Sequence, residues 1–297
     1  MTDTPEAPIA APEPTPTDPA PATVAAKPVK KEDWRDTLKF LLKLAVVVFI
    51  FRSFLFSPFS IPSQSMLPRL YIGDYLFISK WNYGYSRHSL PWSLPLIPGR
   101  IFPGTPARGD VVVFKSPTGS GEDVIKRVIG LPGDTIQMRG GQLILNGQAI
   151  PKVPVADFVI PLSPNYRDPR PNDDGCPQQF RDPAQTICRY KQFRETLPAA
   201  DGRPAVSYNV LDRGQQPGAD DTDLYSVPAG HIFVMGDNRD DSGDSRFPVP
   251  EGMGYVPLET VEGKAVITFW STDGSAQWLL PWTWFTAARW SRMGQTF

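Results

Sequence analysis

Two serines separated by one residue, Ser63 and Ser65, lie in a short segment that otherwise consists largely of apolar residues and prolines. A hydroxyl in such surroundings can act as a nucleophile when a neighbouring base removes its proton. Proline and serine also favour turns, so the same residues can form a turn without any catalytic role. A base elsewhere in the chain is needed to decide between these two interpretations.

Lys126 is the candidate for that base. Residues 123–129 have the pattern of a strand, and alternate residues of a strand share one face, so Val124 and Val128 flank the lysine. Burial lowers the pKa of a lysine, and a neutral lysine can activate a serine hydroxyl without a histidine. The alternative is a lysine whose ammonium group reaches solvent or pairs with Asp123.

Histidine and cysteine are scarce. The only two histidines, His88 and His231, argue against a multi-histidine metal site and leave few candidates for a Ser-His-Asp triad. Cys176 and Cys188 are far from any histidine and fit a zinc site poorly. They favour a local disulfide in an oxidising compartment, with two unpaired thiols as the alternative. We expect no metal and no cofactor.

The loop 236–246 is rich in carboxylates and could be interpreted as a calcium site. Its glycine and its closing residue do not have EF-hand spacing, and no flanking helix is evident. Arg239 and Arg246 would also repel a cation. The composition therefore predicts a network of carboxylates and guanidinium groups that stiffens the loop.

The N-terminal fifth of the chain predicts a tail and a membrane anchor. Residues 1–33 are rich in Ala and Pro, and we expect a disordered cytoplasmic tail. Residues 34–57 are predicted to form one transmembrane helix, ended by Pro58, with Lys43 and Arg52 able to reach opposite interfaces. A buried core helix is the alternative. Basic residues before the apolar run place the N-terminus in the cytoplasm and the body outside.

The remaining sequence predicts a mainly β fold, because short strand patterns and turns outnumber helical patterns. The chain has 297 residues, of which 41% are hydrophobic, and a net charge of -1 that gives no indication of nucleic acid binding. We expect a catalytic β domain in two parts, residues 58–134 and 229–275. Residues 135–228 form a predicted inserted subdomain, with few recognisable strands over residues 151–225. The Trp-rich tail 276–297 fits a membrane interface and core packing equally well.

Five segments in order, behind the apolar run, resemble the motifs of bacterial type I signal peptidase (leader peptidase). They are IPSQSMLP (61–68), GD (73–74), RGDVVVF (108–114), IKRVIGLPGD (125–134) and GDNRDDSGDSR (236–246). Each segment alone is a weak signal, whereas five in the family order form a strong one. The resemblance covers the chain from the predicted membrane helix to about residue 265, except for parts of the insert.

The resemblance implies a signal-peptidase-like β fold with an inserted subdomain and one N-terminal transmembrane helix. It implies a serine endopeptidase that removes signal peptides from exported pre-proteins, after Ala-x-Ala-like sites, on the outer (periplasmic) side of the bacterial plasma membrane. Ser65 matches the nucleophile, Lys126 the general base and Ser63 the side-chain oxyanion donor. The implied partners are signal peptides, membrane lipid and the secretion translocon, with no nucleic acid.

Further residues match supporting roles in the same family. Ser242 matches the hydroxyl that orients the lysine, and Asp244 with Arg246 matches the supporting ion pair. One small pocket for substrate side chains would be lined by Ile61, Pro62, Met66, Leu70 and Val124. The other would be lined by Phe59, Leu76, Val113, Asp123 and Ile125.

Two departures from the family pattern stand out. Arg69 replaces the threonine that is common after the proline, and it affects no catalytic atom. Val124 stands where many members have tyrosine, which can reshape the pocket for the residue before the cut. The alternative function is a membrane-anchored, non-catalytic binding or assembly protein with the same fold. Such a protein would be expected to lack Ser65 or Lys126, and both are present.

Overall fold

The computed structural model describes residues 34–167, 176–184, 186–200 and 202–297. The tail over residues 1–33, predicted to be disordered, lies outside the described residues. The chain divides into two compact units, residues 1–43 and residues 44–297. In the first unit, the described residues 34–43 are helical.

The apolar N-terminal segment forms a shorter helix than predicted. Helix α1 (Trp34–Ile50) continues into one π-helical turn, Phe51–Leu55, and strand β1 (Phe56–Ser60) follows directly. The predicted helix end at residue 57 is wrong, because the backbone from Phe56 onward pairs with strand β2 (Asp74–Ser79). Pro58 therefore lies inside a strand. Within the described ranges, no helix has both the length and the apolar character that a membrane crossing requires.

The prediction of a mainly β fold is confirmed. The remaining strands, in chain order, are β3 (Tyr85–Ser86), β4 (Arg100–Ile101), β5 (Val111–Lys115), β6 (Asp123–Gly130), β7 (Thr135–Arg139), β8 (Gln142–Leu145), β9 (Gln148–Ala149), β10 (Lys152–Pro154), β11 (Phe158–Pro161), β12 (Ile187–Tyr190), β13 (Gln192–Leu197), β14 (Val206–Leu211), β15 (Tyr225–Ser226), β16 (His231–Met235), β17 (Val256–Pro257) and β18 (Val261–Ser271). The described residues contain two further α-helices, both short: α2 (Pro164–Arg167) and α3 (Trp282–Thr286).

A seven-stranded antiparallel sheet holds the segments that resemble the family motifs. Its strand order is β1-β2-β18-β5-β6-β16-β17. β1 is an edge strand, and β5 pairs with β6 in a register that places Val112 opposite Lys126. β18 lies between β2 and β5, so the longest strand joins the first hairpin of the sheet to the β5–β6 pair.

Strands between residues 135 and 226 pair among themselves in three smaller sheets, with orders β15-β7-β8-β9, β10-β13-β14 and β11-β12. Few strands could be recognised in the sequence over residues 151–225, yet five strands, β10 to β14, lie there among the described residues, and β15 begins at Tyr225. The alternation of β13 was hidden because its inward-facing Glu195 is fully buried against Arg239. The boundaries of the inserted subdomain, residues 135–228, stay a prediction.

Alternating residues of β5 supply two different core clusters. Val111 and Val113 pack with Ile61 and Met66, whereas Val112 packs on the opposite face with a second cluster. Full burial of an aliphatic or aromatic side chain contributes about 1.5–3 kcal/mol. The segment that carries the two serines is thus fixed on one face of the main sheet.

Cys176 and Cys188 form a disulfide. Both cysteines are buried in an apolar cluster that includes Leu67, Ile72 and Tyr166. Because Leu67 follows Ser65 by two residues, the disulfide packs beneath the segment that holds the candidate nucleophile.

Candidate active site

Ser65 and Lys126 are in direct contact. Lys126 Nζ lies 2.7 Å from Ser65 Oγ, which is a hydrogen-bond distance. Ser65 lies in the turn after β1 and Lys126 in the middle of β6, and their exposed fractions are 7% and 4%. An amine at this distance can remove the hydroxyl proton as the oxygen attacks a carbonyl.

Ser63 stands beside the candidate nucleophile. Its hydroxyl oxygen is 3.4 Å from Ser65 Oγ, and either hydroxyl can be the donor. The backbone N–H of Ser65 makes no hydrogen bond within the described part of the chain. A carbonyl oxygen that arrives here can therefore meet two donors, one hydroxyl and one amide, as an oxyanion hole requires.

The loop after β16 fixes the backbone of the Ser65 turn. The Asn238 N–H donates to the Ser65 carbonyl at 3.0 Å, and the Asn238 side-chain amide donates to the Gln64 carbonyl at 3.2 Å. The Gln64 side chain in turn donates to Asp241. The sequence did not single out Asn238, although it lies within the 236–246 motif.

Gly236 allows this loop to approach the nucleophile closely. A Cβ atom at Gly236 would lie 2.4 Å from Ser242 Oγ and 2.5 Å from the Ser65 carbonyl oxygen, so no side chain fits. Ser242 is buried, and its hydroxyl has no hydrogen-bond partner in the described ranges. The structure thus places Ser242 beside Gly236, where it makes no direct bond to the Lys126 amine.

Asp244 and Arg246 form a fully buried ion pair. Arg246 Nε donates to Asp244 Oδ1 at 2.9 Å, and the Gly236 N–H donates to Asp244 Oδ2 at 3.0 Å. Burial would raise the pKa of Asp244, but the Arg246 guanidinium and these hydrogen bonds outweigh it and hold that pKa below its usual value. The ionised carboxylate therefore anchors the glycine that contacts the nucleophile's backbone.

Two further guanidinium–carboxylate pairs stiffen the same loop, as the sequence predicted in outline. Arg127 binds Asp237 through Nε at 2.7 Å and Nη2 at 2.6 Å. Arg239 Nη1 donates to Glu195 Oε1 at 2.6 Å. Glu195 belongs to β13 and is remote in sequence from its partner, so no sequence signal predicted this pair.

The predicted pocket residues are only partly brought together. Seven of them share one apolar cluster: Phe59, Ile61, Met66, Leu70, Leu76, Val113 and Ile125. Val124 packs against the cluster on the other face of the sheet, and Pro62 is exposed. Asp123 lies at the start of β6 and forms an ion pair with Lys115.

A buried group of charges, not predicted from the sequence, adjoins these pockets. Glu262 lies 3.2 Å from Lys80 and 3.6 Å from Lys115, at a cavity of about 150 Å³ that Phe59 and Asp123 also line. Burial raises the pKa of Glu262 to about 7; Lys80 and Lys115 oppose this rise, and Asp123 adds to it.

A family model for signal peptidase, peptidase S26, matches residues 34–270. The chain belongs to this family. Signal peptidase I of Rickettsia akari is 34% identical over 251 residues, covering 83% of this chain and 81% of the relative. Signal peptidase I of Rickettsia typhi is 34% identical over 260 residues, covering 84% and 83%. These relatives confirm the resemblance seen in the five motifs, and the chain is a serine endopeptidase of the signal peptidase type.

A solved structure of a signal peptidase I from Enterococcus faecalis V583 also aligns with the chain. It is 26% identical and covers 54% of this chain and 97% of that chain, with a TM-score of 0.26. A superposition at this score adds nothing to the description of the fold.

Proposed function

We propose that this signal peptidase removes N-terminal signal peptides from exported pre-proteins with Ser65 as nucleophile and Lys126 as general base. The observation that carries the proposal is the 2.7 Å contact between the Lys126 amine and the Ser65 hydroxyl. Membership of the signal peptidase family supports the reaction and the class of substrate.

In the proposed reaction, Ser65 Oγ attacks the carbonyl carbon of the peptide bond that is cut, and neutral Lys126 accepts the hydroxyl proton. The oxyanion that forms is stabilised by the Ser63 hydroxyl and the Ser65 N–H. Lys126 then gives its proton to the amine of the departing mature protein. A water molecule, deprotonated by the same lysine, attacks the acyl-enzyme and releases the signal peptide, and the lysine returns the proton to Ser65 Oγ.

The surroundings of Lys126 support a neutral amine. The residue is 4% exposed, and its strand neighbour Val128 is fully buried. Removal of a lysine from water favours its uncharged form. Asp237 and Asp244, in the loop that contacts the Ser65 turn, are each bound by an arginine.

The proposed specificity is for small residues before the cut, as in Ala-x-Ala. The apolar cluster next to Ser65 contains Met66, Leu70 and Val113, all fully buried in close packing. Large substrate side chains next to this cluster would have to displace the packed core, so small residues are the proposed preference.

The proposed setting is the outer side of the bacterial plasma membrane, with the segment over residues 34–57 as anchor and the N-terminus in the cytoplasm. None of the residues of α1 is buried, and apolar side chains such as Phe40 and Leu42 are exposed in the structure. Exposed apolar residues over a whole helix favour contact with lipid or with another protein. The translocon is a further proposed partner.

The test is cleavage of a purified pre-protein, with the cut mapped by mass spectrometry. We expect wild type to cut after an Ala-x-Ala site, and Ser65→Ala and Lys126→Ala to be inactive while folded. Ser60→Ala and Lys191→Ala, both at exposed positions, are the matched controls and should remain active. Substantial turnover by either dyad variant would refute the mechanism. Binding without cleavage by wild type would favour the alternative, a non-catalytic assembly protein.

A further inference from the structure

A second, larger cavity begins just after the two catalytic residues in sequence. Its volume is about 720 Å³, within the range of about 300–1,000 Å³ typical of ligand-binding clefts. Its walls include Pro68, three residues after Ser65, and Arg127, which follows Lys126 directly. Three residues of extended chain span at most about 11 Å, so the wall starts within that distance of the nucleophile.

This cavity and two of the proposed pocket residues lie toward opposite ends of β6. Asp123 and Ile125 of the pockets precede Lys126 along the strand, whereas Arg127 of the cavity follows it. Gly109, which also lines the cavity, lies beside the same end of β6, where its N–H donates to the Val128 carbonyl. A substrate whose signal peptide occupies the small pockets therefore directs the residues after the cut toward the larger cavity.

The walls of the cavity carry a surplus of positive charge. The charged lining residues are five cations and one carboxylate: Arg69, Arg127, Arg194, Lys264, Arg292 and Asp110. Arg127, Arg292 and Lys264 are bound by carboxylates. Arg69 and Arg194 have no carboxylate partner among residues that the structure describes. A concave surface with arginines that bind no carboxylate favours an anionic ligand.

Arg69 is one of the two positions at which this chain departs from the family motif, and the catalytic reaction makes no use of it. Its guanidinium donates to the Thr296 carbonyl and lies over the Phe297 ring. Burial and the neighbouring Arg127 lower its pKa, as expected where like charges are concentrated. A carboxylate in the cavity would relieve this repulsion.

One wall of the cavity is a strand edge. Residues Val206–Asn209 of β14 line it, and β14 is the outer strand of the β10-β13-β14 sheet. Beyond its pairing with β13, β14 makes backbone hydrogen bonds only at Leu211, to Asp237 and Arg239, within the described ranges. An unpaired strand edge can accept an extended peptide as an additional strand.

We propose that this cavity binds the first residues of the mature protein, in extended form, with their acidic side chains on Arg69 and Arg194. This inference rests on the proposed function and adds to it a preference for acidic residues shortly after the cut. The strand edge favours a peptide over a lipid headgroup as the occupant, because it provides backbone donors and acceptors in a row.

The first test compares two substrates that share one signal peptide and differ at positions two to five after the cut, Asp and Glu in one and Asn and Gln in the other. We expect wild type to favour the acidic substrate in kcat/KM by about three- to tenfold at low salt, and less at high salt. In Arg69→Gln with Arg194→Gln the ratio should approach one. Arg139→Gln, outside the cavity, should keep the wild-type ratio. An unchanged ratio in the double variant would overturn the proposal. So would a wild type that cuts both substrates equally well, together with a double variant that loses the same share of activity on each.

A second test does not depend on cleavage. A fluorescent peptide of the mature segment is titrated onto Ser65→Ala, with and without the two arginine substitutions. Binding of the acidic peptide that requires both arginines is the expected result, and the amide version should bind more weakly. Arginine-dependent binding of phosphatidylglycerol vesicles without binding of the peptide would overturn the proposal in favour of a membrane contact. If wild type cuts no pre-protein but the acidic peptide binds through both arginines, the proposed function is refuted and the proposed peptide-binding cavity is supported.

Discussion

The Ser65 hydroxyl is positioned through both its side chain and its backbone. Its oxygen contacts Lys126, and its carbonyl accepts the Asn238 N–H. Because the carbonyl is fixed by a loop that the Asp244–Arg246 pair stiffens, the backbone of the nucleophile is held in place. A nucleophile held in this way loses little entropy on the path to the transition state.

Replacement of Ser63 by alanine removes one of the two donors proposed for the oxyanion. We expect kcat of Ser63→Ala to fall by about 10²–10³ with a smaller change in KM, since the donor acts on charge that develops in the transition state. Ser60→Ala is the control. The measurement is steady-state cleavage of a short signal-peptide substrate, and a wild-type kcat would mean that Ser63 serves only the turn.

Glu262 should make stability depend on pH near neutrality. Burial raises the pKa of its carboxyl to about 7, above the ordinary value, despite Lys80 and Lys115. The folded protein therefore binds more protons than the unfolded chain between about pH 4.5 and 7. The contribution of this carboxyl to the free energy of unfolding is fully present below that pH range and is lost as the pH rises through it.

The measurement for Glu262 is urea unfolding between pH 5 and pH 8. Glu262→Gln should remove the part of the pH dependence that this carboxyl contributes, so that the stability of the variant relative to wild type rises with pH. Glu251→Gln, at an exposed position, is the control and should follow wild type. If the free energies of unfolding of wild type and Glu262→Gln changed in parallel with pH, Glu262 would not be the group responsible.

At the scale of elements, the disulfide and the Ser65 turn share one apolar cluster. Cys176 and Cys188 are separated by 12 positions, and the loop they close packs with Leu67 and Ile72. Replacement of both cysteines by serine should lower the free energy of unfolding by about 3 kcal/mol, the value for a loop of this length.

The disulfide prediction is checked by urea unfolding of Cys176→Ser with Cys188→Ser beside wild type. Mass spectrometry of unreduced peptides verifies the bond in the wild-type sample. Wild type treated with a reductant should approach the variant, which separates the effect of the bond from that of the serines. Equal stability of all three samples would show that the cluster alone holds this region.

Local patterns predicted the strands that are rich in apolar, β-branched residues. β5 and β6 are such strands and are buried on both faces. The motifs around Ser65 and Lys126 were recognisable because each is contiguous. β13 was missed because Glu195 occupies an inward position, and its partner Arg239 comes from a distant loop. The end of α1 was misplaced because Pro58 suits an edge strand as well as a helix stop. Asn238 was missed because its role depends on the approach of two separate segments.

At the scale of the molecule, neither histidine contacts Ser65 or Lys126 in the part of the chain that the structure describes. The chain has two histidines: His88 contacts Ser93 at 3.1 Å, and His231 opens β16. We expect His88→Ala with His231→Ala to retain activity. The pH–rate profile of both proteins should rise with pH, with an apparent pKa below the ordinary lysine value of about 10.4.

The matching measurement is kcat/KM on a short signal-peptide substrate between pH 5 and pH 10. Burial lowers the pKa of His88, so a histidine base would give an acidic limb that vanishes in the double variant. Loss of the limb, or of activity, in that variant would therefore identify histidine as the base and refute the lysine mechanism.

The position of β18 has a consequence for the order in which the main sheet is assembled during synthesis. Ser65 belongs to the β1–β2 side of the main sheet and Lys126 to the β5–β6 side, and β18 lies between them. On a ribosome, the four flanking strands emerge long before Val261–Ser271 does. Until that strand inserts, no sheet hydrogen bonds join the two sides of the main sheet. The nucleophile and the base are then held together only by the packing of the Ser65 turn on β5 and β6 and by its hydrogen bonds to Asn238.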